Sequence, residues 1–154
     1  MSTRSAIAKL NKDGSVDVVY CHFDGYPSNN GKILLENYTN AKKVQRLLAL
    51  GDLSYLGRTS NKNPNKNRNS FGGYEPTNYN YTYAYHRDRG DELNLTHLDS
   101  LNDLFDYIED SLWMEYLYIY DATPMGRNRP KWQMAERQNG KYTLMPLTKK
   151  MCAE

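Results

Sequence analysis

Val18-Val19-Tyr20-Cys21-His22-Phe23-Asp24-Gly25-Tyr26-Pro27 closes one strand and opens a turn, and its pairing decides how the chain folds. Upstream, Ser2 to Leu10 alternates as a strand. Asp13-Gly14 is the signal of a two-residue hairpin turn, and Ser15 to Asp24 returns as the second strand. With Asp13 and Gly14 as the turn pair, Ile7 faces Tyr20, Ser5 faces His22 and Thr3 faces Asp24. Directly paired residues share a face of the sheet. Thr3, Ser5, His22 and Asp24 therefore form a polar patch at the open end of the hairpin. Ala6, Ala8, Val19, Cys21 and Phe23 face the core. Arg4 lies on that second face near its edge, with a stem that packs and a head that reaches solvent. A slip of one residue exchanges the two faces.

A second stretch, Tyr83-Ala84-Tyr85-His86-Arg87-Asp88-Arg89-Gly90, repeats the design of strand, His-x-Asp and glycine. Alternation predicts a strand over Tyr79 to His86, with His86 and Asp88 on one side. Residues two apart on a strand project together, roughly 6–7 Å apart. On neighbouring strands His22, Asp24, His86 and Asp88 would converge. Such a set suits a divalent transition metal, or a paired acid and base with His22 and His86 as the catalytic groups. The other reading is that each aspartate orders its own turn and each histidine bonds locally. Two-histidine phosphoesterases need a hydroxyl residue two positions after each histidine. Asp24 and Asp88 stand there instead, which counts against that analogy.

Outward from these motifs, helices are expected from about Asn30 to Tyr38 and from Asn40 or Ala41 to Gly51. Thr39 caps the second, and Val44, Leu47 and Leu48 make its buried stripe. Asp52 to Leu56 reads as a short turn. Asparagine recurs through Arg58 to Asn80 with basic residues, so a long mobile loop is expected at about 58–78, or a basic flap over an anionic ligand. A helix capped by Asp99 or Ser100 follows, with Leu101, Leu104, Phe105, Ile108 and Leu112 inward. Trp113 to Asp121 is a strand. Pro124 to Pro130 is a loop carrying Arg127 and Arg129. Lys131 to Glu136 and Lys141 to Met145 form a terminal hairpin. The fold class is α+β: one domain over 1–147, a mostly antiparallel sheet starting with a β-hairpin, and about three helices on one face. Residues 148–154 are a frayed tail.

The 154 residues are 39% hydrophobic and 25% charged, which suits a soluble globular domain. A net charge of +2 is too small to argue for nucleic acid. Apolar runs are too short for a membrane span, and the N-terminus has no secretory core. Cys21 and Cys152 have no metal or redox spacing, in keeping with a reducing cytoplasm. Fourteen tyrosines against three phenylalanines fit either strand composition or a contact surface. Arg4, Arg87 and Arg89 beside the histidine motifs suit phosphate or carboxylate, and with tyrosine they suit a nucleotide.

At these motifs the chain resembles a family of small proteins from tailed bacteriophages and prophages. The resemblance lies in Ser2-Thr3-Arg4-Ser5, Tyr20 to Pro27, Leu34-Leu35, Gly51-Asp52-Leu53-Ser54 and Tyr85 to Gly90. It covers roughly the first hundred residues, with Phe23 where tryptophan is usual. It implies a phage accessory protein in the host cytoplasm that counters host defence or redirects host enzymes. The expected binding surface combines Thr3, Arg4, His22, Asp24, Tyr26, His86, Arg87, Asp88 and Arg89. Its partner would be a nucleotide-like small molecule or a host defence protein. The alternatives are a small phosphodiesterase or nucleotide hydrolase using His22 and His86, and a pure protein–protein inhibitor using the tyrosine faces. No cofactor is assigned, and the oligomeric state stays open.

Overall fold

The computed structural model describes residues 3–62, 80–111, 114–123 and 131–153. Strands β1 (Ser5–Leu10) and β2 (Val16–Cys21) form the opening hairpin. Gly14 N–H donates to the Asn11 carbonyl at 3.0 Å, and Gly14 sits at φ 90°. The loop is thus three residues long, a turn closed by a left-handed glycine. The Asp13 carboxylate stays in the loop, accepting from the Ser15 N–H and hydroxyl. This extra loop residue moves the register by one from the expected pairing. Ser5 pairs with Cys21, Ala6 with Tyr20 and Ile7 with Val19.

The corrected register puts apolar side chains on both faces. Ile7, Val19 and Cys21 lie on one, and Ala6, Ala8, Val16 and Val18 lie on the other. Each face must be covered. A π-helical turn (Pro27–Gly31) runs into α1 (Lys32–Asn37), and α2 (Ala41–Leu48) follows. They bury Ile33, Leu34, Val44, Leu47 and Leu48 on the first face. On the second face, α4 (Leu101–Ser111) buries Leu104 and Ile108. The helices therefore divide between the two faces and are not gathered on one. The α+β class and the mostly antiparallel sheet hold as expected.

The remaining strands are β3 (Leu53–Tyr55), β4 (Tyr83–Ala84), β5 (Thr96–Leu98), β6 (Tyr116–Asp121), β7 (Trp132–Gln138), β8 (Lys141–Tyr142) and β9 (Met145–Pro146). The order is β4-β3-β2-β1-β6-β7-β8, with β5 on β2 and β9 on β7. Only β1–β6 and β2–β3 run parallel among these pairs. β3 replaces the expected turn at Asp52–Leu56. The strand expected over Tyr79–His86 is two residues long within the described part, and Tyr85–Arg89 forms a short helix, α3. Asn139 and Gly140 both take positive φ, 53° and 75°, as a two-residue hairpin turn requires. The cap of α2 is Asn40, whose side chain accepts from Lys43 N–H, and not Thr39. Residues read as a frayed tail include α5 (Lys149–Cys152), capped by Thr148 and anchored by buried Cys152. Residues 63–79 of the Asn-rich stretch and residues 124–130 lie outside the described residues.

Six of the twelve described tyrosines belong to the core. Tyr38, Tyr55, Tyr83, Tyr118, Tyr120 and Tyr142 are buried. Their hydroxyl tips fasten loops: Tyr38 donates to the Gly57 carbonyl at 2.7 Å and Tyr142 to the Met114 carbonyl at 2.6 Å. No helix of the described residues is long and apolar enough to cross a membrane.

Two covered faces make a direct prediction. Leu47→Ala and Leu104→Ala should each cost about 2–5 kcal/mol of stability, because each empties a packed core. Urea unfolding reads this as a lowered midpoint at unchanged slope. A near-neutral Leu104→Ala would mean that only one face is a core.

Candidate functional site

The stretch that ends β2 is first of all a fastening. His22 and Phe23 N–H groups donate to the Leu53 and Ser54 carbonyls, carrying the pairing onto β3. Asp24 then turns at φ 58°. Gly25 is pressed so close that an added Cβ would lie 2.8 Å from both Ser5 Cβ and the Thr3 carbonyl oxygen. Its own carbonyl accepts from the Tyr118 hydroxyl at 2.6 Å. Buried Asn30 donates to Ser5 Oγ at 3.2 Å and Cys21 Sγ at 3.5 Å. Burial pushes the Cys21 thiol up to about 12, so it stays protonated and unreactive.

His22 sits on the opposite face from Ser5, because the register moved. Its Nδ1 lies 2.6 Å from the Tyr20 hydroxyl. Burial pushes the Tyr20 phenol up to about 12, so the phenol donates and Nδ1 accepts. In the neutral ring the hydrogen is then on Nε2. Burial holds the His22 imidazole below its ordinary value, and the Arg4 guanidinium adds to this. Asp52 was not singled out in the sequence, yet it joins three segments. It accepts from Tyr20 N–H at 2.9 Å and Asn94 Nδ2 at 2.6 Å, and its carbonyl accepts from Tyr85 N–H at 3.2 Å.

The second His-x-Asp motif is helical, so His86 and Asp88 point in different directions instead of sharing a strand face. Asp88 accepts from Ala84 N–H at 2.8 Å and holds Arg87 through two nitrogens at 3.0 and 2.9 Å. Arg87 also donates to the Thr82 and Ser60 carbonyls. Arg89 pairs with Asp91 at 2.7 Å and lies over the Tyr85 ring, 4.5 Å from its centroid. His86 Nδ1 donates to the Asp91 carbonyl at 2.7 Å. Among the described residues no three of His, Cys, Asp and Glu are grouped to hold a metal. The expected convergence of His22, Asp24, His86 and Asp88 is therefore not formed. Thr3 contributes its carbonyl to Gly25, and the Arg4 charge acts on the His22 ring. Asp24 and Tyr26 stand at the turn, with the Tyr26 hydroxyl 3.3 Å from Asp24 Oδ1.

Tyr26 leads to a feature that the sequence did not expose. A groove of about 720 Å³ runs over the end of the sheet that α1 and α2 leave open. Tyr26, Tyr116, Met134, Met145 and Met151 line it together with the polar side chains of Glu136, Gln138, Lys141 and Thr143. Burial raises the Tyr116 phenol, and the nearby Glu136 and Glu115 carboxylates raise it further. Four large apolar side chains are left exposed among the described residues, and two of them, Tyr26 and Met145, stand on this groove. The one available signal was Tyr26 itself, an aromatic in a turn with no cross-strand neighbour to cover it.

Comparison with protein-family models, curated proteins and solved structures returned no match.

The histidines give a test of this geometry. His22 is held below 6.5, so its share of stability is full above 6.5 and is lost as pH falls through its folded value. His97 is raised above 6.5, first by its hydrogen bond to Asp17. Its share is full below 6.5 and is lost as pH rises through its folded value. In an NMR titration His22 should titrate below, and His97 above, the ordinary value, and Asp17→Asn should return His97 towards it. Coincident titration of the two rings would contradict the contacts described.

Proposed function

We propose that this chain is a binding protein without catalytic activity, and that it engages a partner protein through the groove between Tyr26 and Met145. The setting we propose is the one its motifs resemble: a phage accessory protein in the host cytoplasm that counters defence or redirects a host enzyme. The observation that carries the binding reading is that two of the four exposed large apolar side chains among the described residues, Tyr26 and Met145, line one groove. Tyrosine gives a large rigid contact at low entropic cost, and methionine adapts its shape to a partner. An aromatic or aliphatic side chain of the partner would fill the hollow above Tyr116 and Met134.

The other readings have less support. Arg87 and Arg89, chosen for a nucleotide phosphate, are occupied by Asp88, Asp91 and backbone carbonyls. A hydrolase using His22 would need Nε2 as a base, and the Tyr20 bond leaves the hydrogen there. An inhibitor built on whole tyrosine faces would need exposed rings, and Tyr83, Tyr118 and Tyr120 of those faces are core. The protein-contact reading is thus kept in a narrower form, at Tyr26 and Tyr116.

The test uses wild-type protein and a Tyr26→Ala/Met145→Ala double variant, matched in fold by circular dichroism. Both are immobilised and challenged with bacterial lysate, and the retained protein is identified and its Kd measured. The double variant should weaken that Kd by about tenfold or more, the scale expected for aromatic anchors. Equal Kd values would remove the groove from the interaction. A nucleotide that binds wild type and not the variant would replace the protein partner with a small molecule.

A further inference from the structure

A second hollow, of about 320 Å³, lies where α2 meets the end of α1 and the segment after β3. We propose that it is a binding site for a small molecule carrying two or more phosphates, recognised through those phosphates. This site is independent of the groove at Tyr26.

Its charge is one-sided. Lys43, Arg46 and Arg58 line it, against the single carboxylate of Glu36. Glu36 also borders a neighbouring hollow with Lys32 and Lys149, so its charge is shared with two further lysines. The helix places the first two cations. Val44, Leu47 and Leu48 are buried, which turns Lys43 and Arg46, three residues apart, to the exposed side. Neither has an ion pair among the described residues.

Arg58 is set opposite them by an unusually constrained backbone. Gly57 N–H donates to Thr82 Oγ1 at 2.9 Å, and its carbonyl accepts from Tyr38 at 2.7 Å. A Cβ at Gly57 would lie 2.2 Å from the Tyr81 carbonyl carbon, so the two chains touch there. Thr59 N–H donates to the Asn80 carbonyl, and Thr82 N–H to the Thr59 carbonyl. The Arg58 guanidinium is then aimed by one bond, Nη1 to Asn80 Oδ1 at 2.8 Å. Holding a cation in place before the ligand arrives lowers the entropic cost of binding.

The chemistry follows from the lining. An arginine fork matches phosphate oxygens, lysine adds a point charge, and Thr59 and Ser60 line the same hollow. The one aromatic there, Tyr38, is buried and spends its hydroxyl on Gly57, so it offers no open face for a base. The volume is at the lower end for small-ligand sites. It suits pyrophosphate or the phosphates of a nucleotide, with selection for phosphate and not for the base.

Isothermal titration calorimetry at low salt tests this with inorganic pyrophosphate, ADP, GDP, adenosine and a single-stranded oligonucleotide. Pyrophosphate, ADP and GDP should bind with similar affinity, and adenosine should not. Arg46→Gln and Arg58→Gln should each weaken pyrophosphate by about tenfold or more, as losing a charge-assisted hydrogen bond does. Lys12→Gln, the same charge change on the hairpin loop, should not, and neither should Tyr26→Ala/Met145→Ala. Absence of pyrophosphate binding overturns the proposal. So does equal weakening by Lys12→Gln, which would show only a net-charge effect. Oligonucleotide binding without pyrophosphate binding would also overturn it, in favour of a nucleic-acid surface.

Discussion

A single left-handed glycine sets the architecture. Gly14 at φ 90° closes a three-residue loop, and that loop pairs Ser5 with Cys21. Strand periodicity is two, so this pairing decides the face of every side chain in the hairpin. It sends Ile7, Val19 and Cys21 to one core and Ala6, Ala8 and Val18 to another. Leu104 and Ile108 of α4 share one core with these alanines, while α1 and α2 fill the other with leucine and isoleucine. Everything outside the hairpin is positioned against these two surfaces.

The polar groups of the two motifs are then explained by what burial demands. A buried donor or acceptor left without a partner costs about 1–3 kcal/mol, whereas a formed bond contributes about 1 kcal/mol. Asn30 serves Ser5 and Cys21, and Tyr118 serves the Gly25 carbonyl. Asp52 satisfies Tyr20, Asn94 and Tyr85 together. Asp88 and Arg87 hold the turn after β4 to Thr82 and Ser60. Residues that look catalytic by type are therefore mostly structural by contact. Two concave surfaces lie outside this bonding: the mixed apolar and polar groove at Tyr26, and the hollow lined by Lys43, Arg46 and Arg58.

These two surfaces differ in the physics that would drive binding. The groove removes aromatic and methionine surface from water, a contribution that salt hardly screens. The hollow concentrates like charges that are exposed on α2 and after β3, and its attraction falls as ionic strength rises. A protein with both could report on a phosphorylated molecule and a protein partner through separate residues.

What the sequence determined by itself was local. The stripe Val44, Leu47 and Leu48, the stripe Leu104 and Ile108, and the turn Asn139-Gly140 all follow from spacing or from φ preferences of single residues. The α+β class follows from their order. The rest turned on contacts that local spacing does not carry, most of them with distant partners. β3 is three residues long, too short to show alternation, and exists because β2 and β4 flank it. Tyr85–Arg89 is helical with its first N–H, that of Tyr85, bonded to the distant Asp52 carbonyl. The hairpin register depended on one loop residue that the Asp13-Gly14 signal does not count. That Arg87 is taken up was hidden as well: it meets its acceptors at Ser60 and Thr82 only once the chain has folded back.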